Sequence, residues 1–271
     1  MRRTGVVLAE LLVAALLSVV VITLALGSLV MLQRAAQQQI EHAARHLNLL
    51  TTAQLIRAEL GGLSPRAGDL GRIGPAQLEY RATRATGWAC GRVADGLLAP
   101  TEFLRAVRLP VPGRDSALTL VFAGDSAVWM SQPIVAAPRS GSCPGSGAPA
   151  LVIPIPGVAL DGAVVPGPVL VFEKMEFRLY RSGTEWWLGL RSVSAGETIQ
   201  PATGPFEPSG VAFRFLDAAG VEVAESDQVR RIAVLLRGTA SLRQGVGAAA
   251  RALRTGLPDS LAFDVILRGD P

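Results

Sequence analysis

Histidine is almost absent from this chain, and its scarcity limits the chemistry that the chain can perform. The 271 residues include two histidines, His42 and His46, and none follows position 46. A serine triad normally needs a histidine base, so a serine nucleophile in residues 47–271 would have to take its base from His42 or His46. The sequence also has no phosphate-binding loop, no dinucleotide-binding fingerprint and no nucleophile elbow. We therefore expect neither enzyme activity nor a cofactor.

Metal ligands and lysines are also sparse. His42 and His46 lie four positions apart, which would place both rings on one helix face. No cysteine or third histidine is near enough in sequence to complete a site, so the spacing favours a solvated helix face and we expect no metal. Lysine occurs once, at Lys174, among 26 basic residues. No basic cluster with interleaved aromatic residues indicates a nucleic-acid site.

One long apolar segment is present, and it runs from Val6 to Leu32. Its length of about 27 residues gives roughly 40 Å of helix, which is enough to cross a bilayer. A cleaved secretory signal would have an apolar core of roughly 7–15 residues, so this segment is too long for one. Arg2 and Arg3 precede it. The positive-inside rule therefore predicts a cytoplasmic N-terminus and places the residues after about position 33 outside.

Glu10 is the charged residue that interrupts this apolar segment. A carboxylate in hydrocarbon costs several kcal/mol unless it is paired, so such residues are candidates for function. The segment itself offers no obvious partner for the carboxylate. The simpler alternative, which the sequence leaves open, is a signal anchor that contains one unexplained glutamate.

The helix is predicted to continue beyond the membrane as far as Leu60. The stretch from Gln33 to Leu60 contains no proline or glycine and is rich in good helix formers. Gly61-Gly62 then ends it. A stripe that would pack on a globular domain is predicted from the apolar positions Ile40, Ala43, Ala44, Leu47, Leu50, Leu55 and Ile56.

Past Gly62, prolines and glycines become frequent and apolar residues alternate with polar ones, which is typical of strands. The predicted strands are Gln77–Thr86, Ala117–Ala123, Ala127–Met130, Ala150–Ile155, Val169–Tyr180, Glu185–Val193, Val211–Phe215, Ile232–Leu236 and Leu261–Leu267. Half-buried strands of this kind form antiparallel sheets. The predicted fold is therefore α+β, with a long N-terminal helix packed on an antiparallel sheet. Loops are predicted at Ser140–Pro149, expected to be mobile, and at Gly238–Pro258.

The only two cysteines, Cys90 and Cys143, lie in the part of the chain predicted to be outside the cytoplasm. Disulfides form and persist there, and an even count with no spare thiol suits one bridge. A loop of this length would be stabilised by roughly 4 kcal/mol in the chain-entropy account. Two buried free thiols are the alternative.

At the N-terminus, Arg2-Arg3-Thr4-Gly5 is followed by an apolar run whose fifth residue is glutamate, Glu10. This pattern resembles the leader of type IV prepilins. The resemblance implies that a membrane peptidase cuts between Gly5 and Val6, that Val6 is then N-methylated, and that Glu10 is an assembly residue. The family prefers phenylalanine where this chain has Val6. The amine of one subunit would pair with the glutamate of a stacked neighbour, and opposite charges in a low dielectric recover much of their desolvation cost.

The later half of the chain contains, in this order, Phe172–Tyr180, Trp186-Trp187-Leu188, Val211–Leu216, Asp217-Ala218-Ala219-Gly220 and Val229–Leu236, after the helix end Leu55–Gly62. This order resembles the J-type minor pseudopilins of type II secretion and the W-type minor pilins. It implies a pilin-like domain order. Residues 1–5 would be the leader, 6–32 the membrane half of the helix, 33–62 its amphipathic half, and 63–271 the extracytoplasmic head.

The function implied is that of a minor pilin or pseudopilin, which helps initiate, prime or cap a type IV pilus or a type II secretion pseudopilus. The implied partners are the prepilin peptidase, other pilin-like subunits, the inner-membrane assembly platform and membrane lipid. Nucleic acid would be a partner only in a competence pilus. The implied location is the cytoplasmic membrane, then the fibre. A rival of another class is a single-pass anchored protein with an extracytoplasmic binding or sensing head.

One tripeptide bears on the expectation that the chain is not an enzyme. Gly124-Asp125-Ser126 resembles the Gly-Asp-Ser block of one hydrolase family, with Ser126 at the place of the nucleophile. A histidine base for it would have to come from the long helix. The tripeptide is better explained as a turn between two strands.

Overall fold

A computed structural model of the chain describes residues 4–157, 160–239 and 260–268, with side chains from Glu10 onward. The chain divides into two compact units. One unit contains the N-terminal helix as far as Asn48, and the other begins at Leu49 and contains the sheets.

The N-terminal helix, α1, spans Thr4–Leu60. Every side chain from Glu10 to Ile40 is exposed, and within the described residues α1 is the one helix long and apolar enough to cross a membrane. An apolar surface of this extent is unfavourable in water, which is consistent with a lipid environment. The helix ends where the sequence predicted, and the Gly61 N–H donates to the Arg57 carbonyl at 2.9 Å.

The rest of the described chain is mostly strand. The strands are β1 Leu70–Gly74, β2 Gln77–Ala89, β3 Gly91–Val93, β4 Gly96–Pro100, β5 Arg105–Ala106, β6 Asp115–Ala123, β7 Ser126–Pro133, β8 Arg139–Ser142, β9 Pro149–Pro154, β10 Gly167–Ser182, β11 Glu185–Ser192, β12 Gln200–Leu216, β13 Arg231–Gly238 and β14 Ser260–Ile266. Two 3-10 turns lie at Pro65–Ala67 and Ser226–Gln228. One long helix and a large antiparallel sheet confirm the α+β class.

The described residues form two antiparallel sheets. The larger has the order β1-β2-β10-β11-β12-β13-β14, with β5 beside β2 and the β6–β7 hairpin beside β10. Strands β10 to β14 form a meander, in which each strand pairs with the next one along the chain. The pairing of β2 with β10 joins residues about 90 positions apart, and local sequence periodicity carries no information about that kind of contact. The smaller sheet has the order β3-β4-β9-β8.

The end of α1 packs on the larger sheet through a stripe that differs from the predicted one. Leu49, Ala53, Ile56 and Leu60 are buried in the main hydrophobic core. Of the seven predicted positions only Ile56 is fully buried, and Leu55 is half-buried. The prediction was wrong at the other five positions, where the side chains are exposed: Ile40, Ala43, Ala44, Leu47 and Leu50. Helical spacing alone allows more than one face to be apolar, so it did not identify the face that the sheet covers.

The predicted loop at Ser140–Pro149 was wrong at both ends. Strand β8 occupies residues 139–142, and β9 begins at Pro149. The sequence did not indicate β8, because it contains small residues. Gly141 has to be small, since a Cβ there would come within 3.0 Å of the Leu98 and Val152 side chains. The loop predicted at Gly238–Pro258 lies outside the described residues except at its first two positions.

Candidate functional site

The three residues of the predicted leader site lie at the start of α1. Gly5 and Val6 are within the helix, and Glu10 follows little more than one turn later with its side chain exposed. In the described part of the chain, Glu10 has no hydrogen-bond or ion-pair partner. A carboxylate in this position, between exposed apolar neighbours such as Leu11 and Leu12, is available to a charge on another molecule.

The two histidines are exposed on α1, as predicted. Among the residues that the structure describes, no group of three His, Cys, Asp or Glu side chains could hold a metal ion. The tripeptide Gly124-Asp125-Ser126 forms the predicted turn, in which Gly124 has φ +63° and Ser126 faces Ala123 across the β6–β7 hairpin.

Cys90 and Cys143 form a disulfide bond, which is the alternative that the sequence favoured. Cys90 lies between β2 and β3, and Cys143 directly follows β8. The bridge packs in a small core with Leu98, Ala150 and Val152. The disulfide therefore links the smaller sheet to the end of the β2–β10 pairing, which is the longest strand pairing in the larger sheet.

Removal of this bridge is expected to destabilise the head. The cysteines are 53 positions apart, and in the chain-entropy account closing such a loop contributes about 4 kcal/mol. The double variant Cys90→Ser/Cys143→Ser should lower the free energy of unfolding by roughly that amount, as measured by urea denaturation followed by tryptophan fluorescence. All four tryptophans lie in the head, so the signal reports on that unit. Thiol labelling of both cysteines in unfolded, unreduced protein would contradict the bridge.

A buried cluster of charged side chains lies where sequence reasoning predicted no site. Glu173 on β10 is 1% exposed and accepts hydrogen bonds from three arginines. The Arg84 Nε lies 2.8 Å from its Oε2, the Arg108 Nη2 lies 3.1 Å away, and Arg114 Nε binds Oε1. A carboxylate with three guanidinium partners is held ionised in the core, because each partner offsets part of its desolvation cost.

Two further carboxylates extend the cluster. Arg108 also makes a bidentate pair with the buried Asp115, with Nη2 to Oδ1 at 2.7 Å. The Asp115 side chain accepts the Val111 backbone N–H at 2.7 Å. Arg114 reaches Glu197 at 2.7 Å. The cluster thus fixes the segment that leads into β6 against the centre of the larger sheet.

The same cluster is joined to the end of α1. The Tyr80 hydroxyl donates to the Glu59 Oε2 at 3.0 Å, and Arg84 lies 3.7 Å from the Glu59 Oε1. Burial, followed by the nearby Glu59 charge, raises the pKa of Tyr80 well above its usual value, so the phenol remains a donor. Arg84 therefore connects the helix to Glu173 on the central strand.

The electrostatics of the cluster favour the ionised form of Glu173. Burial alone would raise the pKa of its carboxyl, but the Ser192 hydroxyl and the Arg84 and Arg114 guanidiniums together lower it below its ordinary 4.5. Four carboxylates and three arginines share one region, so nearly every buried charge has an opposite partner. Such an arrangement holds a helix and a sheet in one geometry.

The alternation of apolar residues along β10 could have identified Glu173 as a buried charge. Val169, Val171, Glu173, Met175 and Phe177 share one face of β10, and this face is buried. A glutamate in that series indicates a paired buried charge. Glu176 lies on the opposite face of β10. It is 2% exposed, because Arg191 on β11 covers it and hydrogen-bonds its carboxylate.

Comparison of the chain with models of protein families, with curated proteins and with solved structures finds no match.

Proposed function

We propose that this chain is a minor pilin or pseudopilin, a subunit that is cut after Gly5 and assembled through its N-terminal helix to initiate, prime or cap a type IV pilus or a type II secretion pseudopilus. The observation that carries the proposal is Glu10, a carboxylate without a partner in the described chain, on an exposed apolar helix directly after a short basic leader. The proposal explains both why Gly5 precedes the apolar run and why a glutamate, Glu10, follows it five positions later.

Two properties of the structure support the proposal. The helix is unbroken from Thr4 to Leu60, so a membrane-embedded assembly segment and the end that packs on the sheet belong to one element. The cluster around Glu173 and Glu59 holds that end against the head. A subunit that is pulled from the membrane by its helix needs such an attachment.

The proposal places the head outside the cytoplasm and assigns it no catalytic role. The disulfide agrees with an oxidising compartment. Its partners would be the prepilin peptidase, the assembly platform, lipid and other pilin-like subunits. The single-pass binding or sensing protein shares the helix and the disulfide, but it gives no reason for the leader glycine or for Glu10.

A substitution at Gly5 tests the processing step. Gly5→Leu is expected to abolish cleavage, since the peptidase requires glycine at that place in the family that the leader resembles. The uncut chain would keep its first five residues, which gel mobility and mass can detect after co-expression with a prepilin peptidase. Gly27→Leu is the matched control, because a side chain there enters open space on the same helix. Equal cleavage of the wild-type chain, Gly5→Leu and Gly27→Leu would contradict the proposal.

A further inference from the structure

Strand β7, Ser126–Pro133, is an unprotected edge of the larger sheet. It pairs with β6 along its whole length, from Ser126↔Ala123 to Pro133↔Ser116, without a register shift. No other strand in the described part of the chain pairs with it. Within the described residues, one side of its backbone therefore has no strand partner, and the peptide groups of such an edge can pair with another strand.

The sequence of β7 lacks the devices that normally block such pairing. Its eight residues, SAVWMSQP, include no charged side chain, and the only proline is the last residue. The other peripheral strands of the larger sheet carry charge: Arg72 in β1, Arg105 in β5 and Asp264 in β14. Lysines, other charges and bulges are the usual protection of an edge, so β7 is the exception in this sheet.

Both faces of β7 are apolar and incompletely covered. Trp129 pairs with Leu120 on the face that α1 does not cover and is 49% exposed, next to Phe122 at 62%. Val128 and Met130 lie on the opposite face, and Val128 is 41% exposed. An edge strand that exposes aromatic and branched side chains on both faces has the composition of a paired strand.

We propose that β7 pairs antiparallel with β7 of a second copy of this chain, so that the two larger sheets become continuous across a twofold axis. A twofold pairing brings each apolar row against an identical row and matches the two strands in length. Charge supports this occupant, because a charged residue in β7 would oppose a like charge in its copy, and none occurs between Ser126 and Pro133. This inference does not depend on the role of the leader.

The size of the contact sets its strength. Eight residues on each side are fewer than the 20 to 30 of a standard stable interface, so we expect a weak dimer that dissociates on dilution. In a membrane, the anchoring helix would confine two copies to one surface and raise their effective concentration.

Sedimentation equilibrium of the full-length protein in detergent tests the pairing. We expect a reversible monomer–dimer equilibrium, and Val128→Lys should weaken it at least about tenfold, because it places two lysines close together across the shared edge. The matched control is Ile266→Lys, which changes an exposed isoleucine on β14 at the other end of the sheet and should leave the equilibrium unchanged.

Cysteine cross-linking fixes the register. Facing residues in a twofold antiparallel pair have a constant sum of residue numbers, so single cysteines at positions 127 to 131 should form an intermolecular disulfide at only one or two adjacent positions. A protein that stays monomeric up to about 0.1 mM would overturn the proposal. So would a dimer held by the apolar helix, which would be unaffected by either lysine and would give no cross-link along β7. Pairing of β7 with a different protein would appear as cross-linking to another chain in membranes and would equally reject the second copy.

Discussion

A valine at position 10 is expected to leave cleavage after Gly5 intact and to remove the subunit from the fibre. In the proposed processing, the peptidase would act at the start of the apolar run, so cleavage should not need the Glu10 carboxylate. Assembly would leave the amine of Val6 in a neighbouring subunit without its opposite charge. Removing one member of a buried ion pair costs about 3–5 kcal/mol, which corresponds to roughly a hundredfold or greater fall in incorporation.

Incorporation can be measured by immunodetection of the subunit in purified fibres, relative to its amount in the membrane. Glu10→Asp keeps the charge and should retain part of the incorporation, whereas Glu10→Gln should behave like the valine variant. Leu12→Val changes a neighbouring exposed apolar residue and serves as the control for general effects on the helix. Normal incorporation of Glu10→Val into fibres would contradict the proposed pairing between Glu10 and the amine of Val6.

Glu173→Gln is expected to cause the largest loss of head stability among single substitutions of charged residues. The glutamine would keep the shape of the side chain and remove the charge that Arg84, Arg108 and Arg114 share. Breaking a buried ion pair by removing one partner costs about 3–5 kcal/mol. Urea unfolding of the full chain in detergent, followed by tryptophan fluorescence, measures this difference in the free energy of unfolding.

An exposed pair of the same chemistry provides the control. Glu222 lies 3.3 Å from Arg214, and both side chains are more than half exposed, so Glu222→Gln should change stability by less than about 1 kcal/mol. Equal effects of the two variants would show that the buried cluster does not fasten the head.

The effect of Glu173→Gln should also depend on pH. The folded state lowers the pKa of Glu173 below its ordinary 4.5, so protons bind the unfolded state more readily than the folded one. Its stabilising contribution is therefore complete above about pH 4.5 and is lost as the pH falls through the lower folded pKa. The wild-type protein and the variant should accordingly approach each other in stability in acid, and a constant difference would contradict the ionised state of Glu173.

The sequence correctly predicted the helix and strands whose formation depends on neighbouring residues. The length of α1, its end at Gly61-Gly62 and the β10–β11 hairpin all follow from runs of helix formers, paired glycines and strict alternation. The strands that were missed, β1, β3, β4, β5 and β8, are short and rich in glycine and small residues. Their positions depend on packing against distant strands, which a window of neighbouring residues does not record.

The candidate sites divide in the same way. The leader residues and Glu10 form a linear pattern and could be named from the sequence. The Glu173 cluster joins side chains from α1, β2, β6, β10 and two loops, separated by up to 138 positions between Glu59 and Glu197. Only the pairing of β10 with both β2 and β6 brings these side chains together. The sequence indicated that Glu173 lies on the apolar face of β10, but it did not indicate which arginines contact it.

Intact-mass spectrometry of the protein extracted from its native membrane tests the central claim most directly. The account predicts one species that lacks the first five residues, begins at Val6 and carries one additional methyl group. In a mature chain with this N-terminus Glu10 would be the fifth residue, four positions from the new amine, as the proposed pairing between subunits requires. A protein that retains Met1 to Gly5 in a membrane that contains active prepilin peptidase would contradict the account and favour a simple membrane anchor.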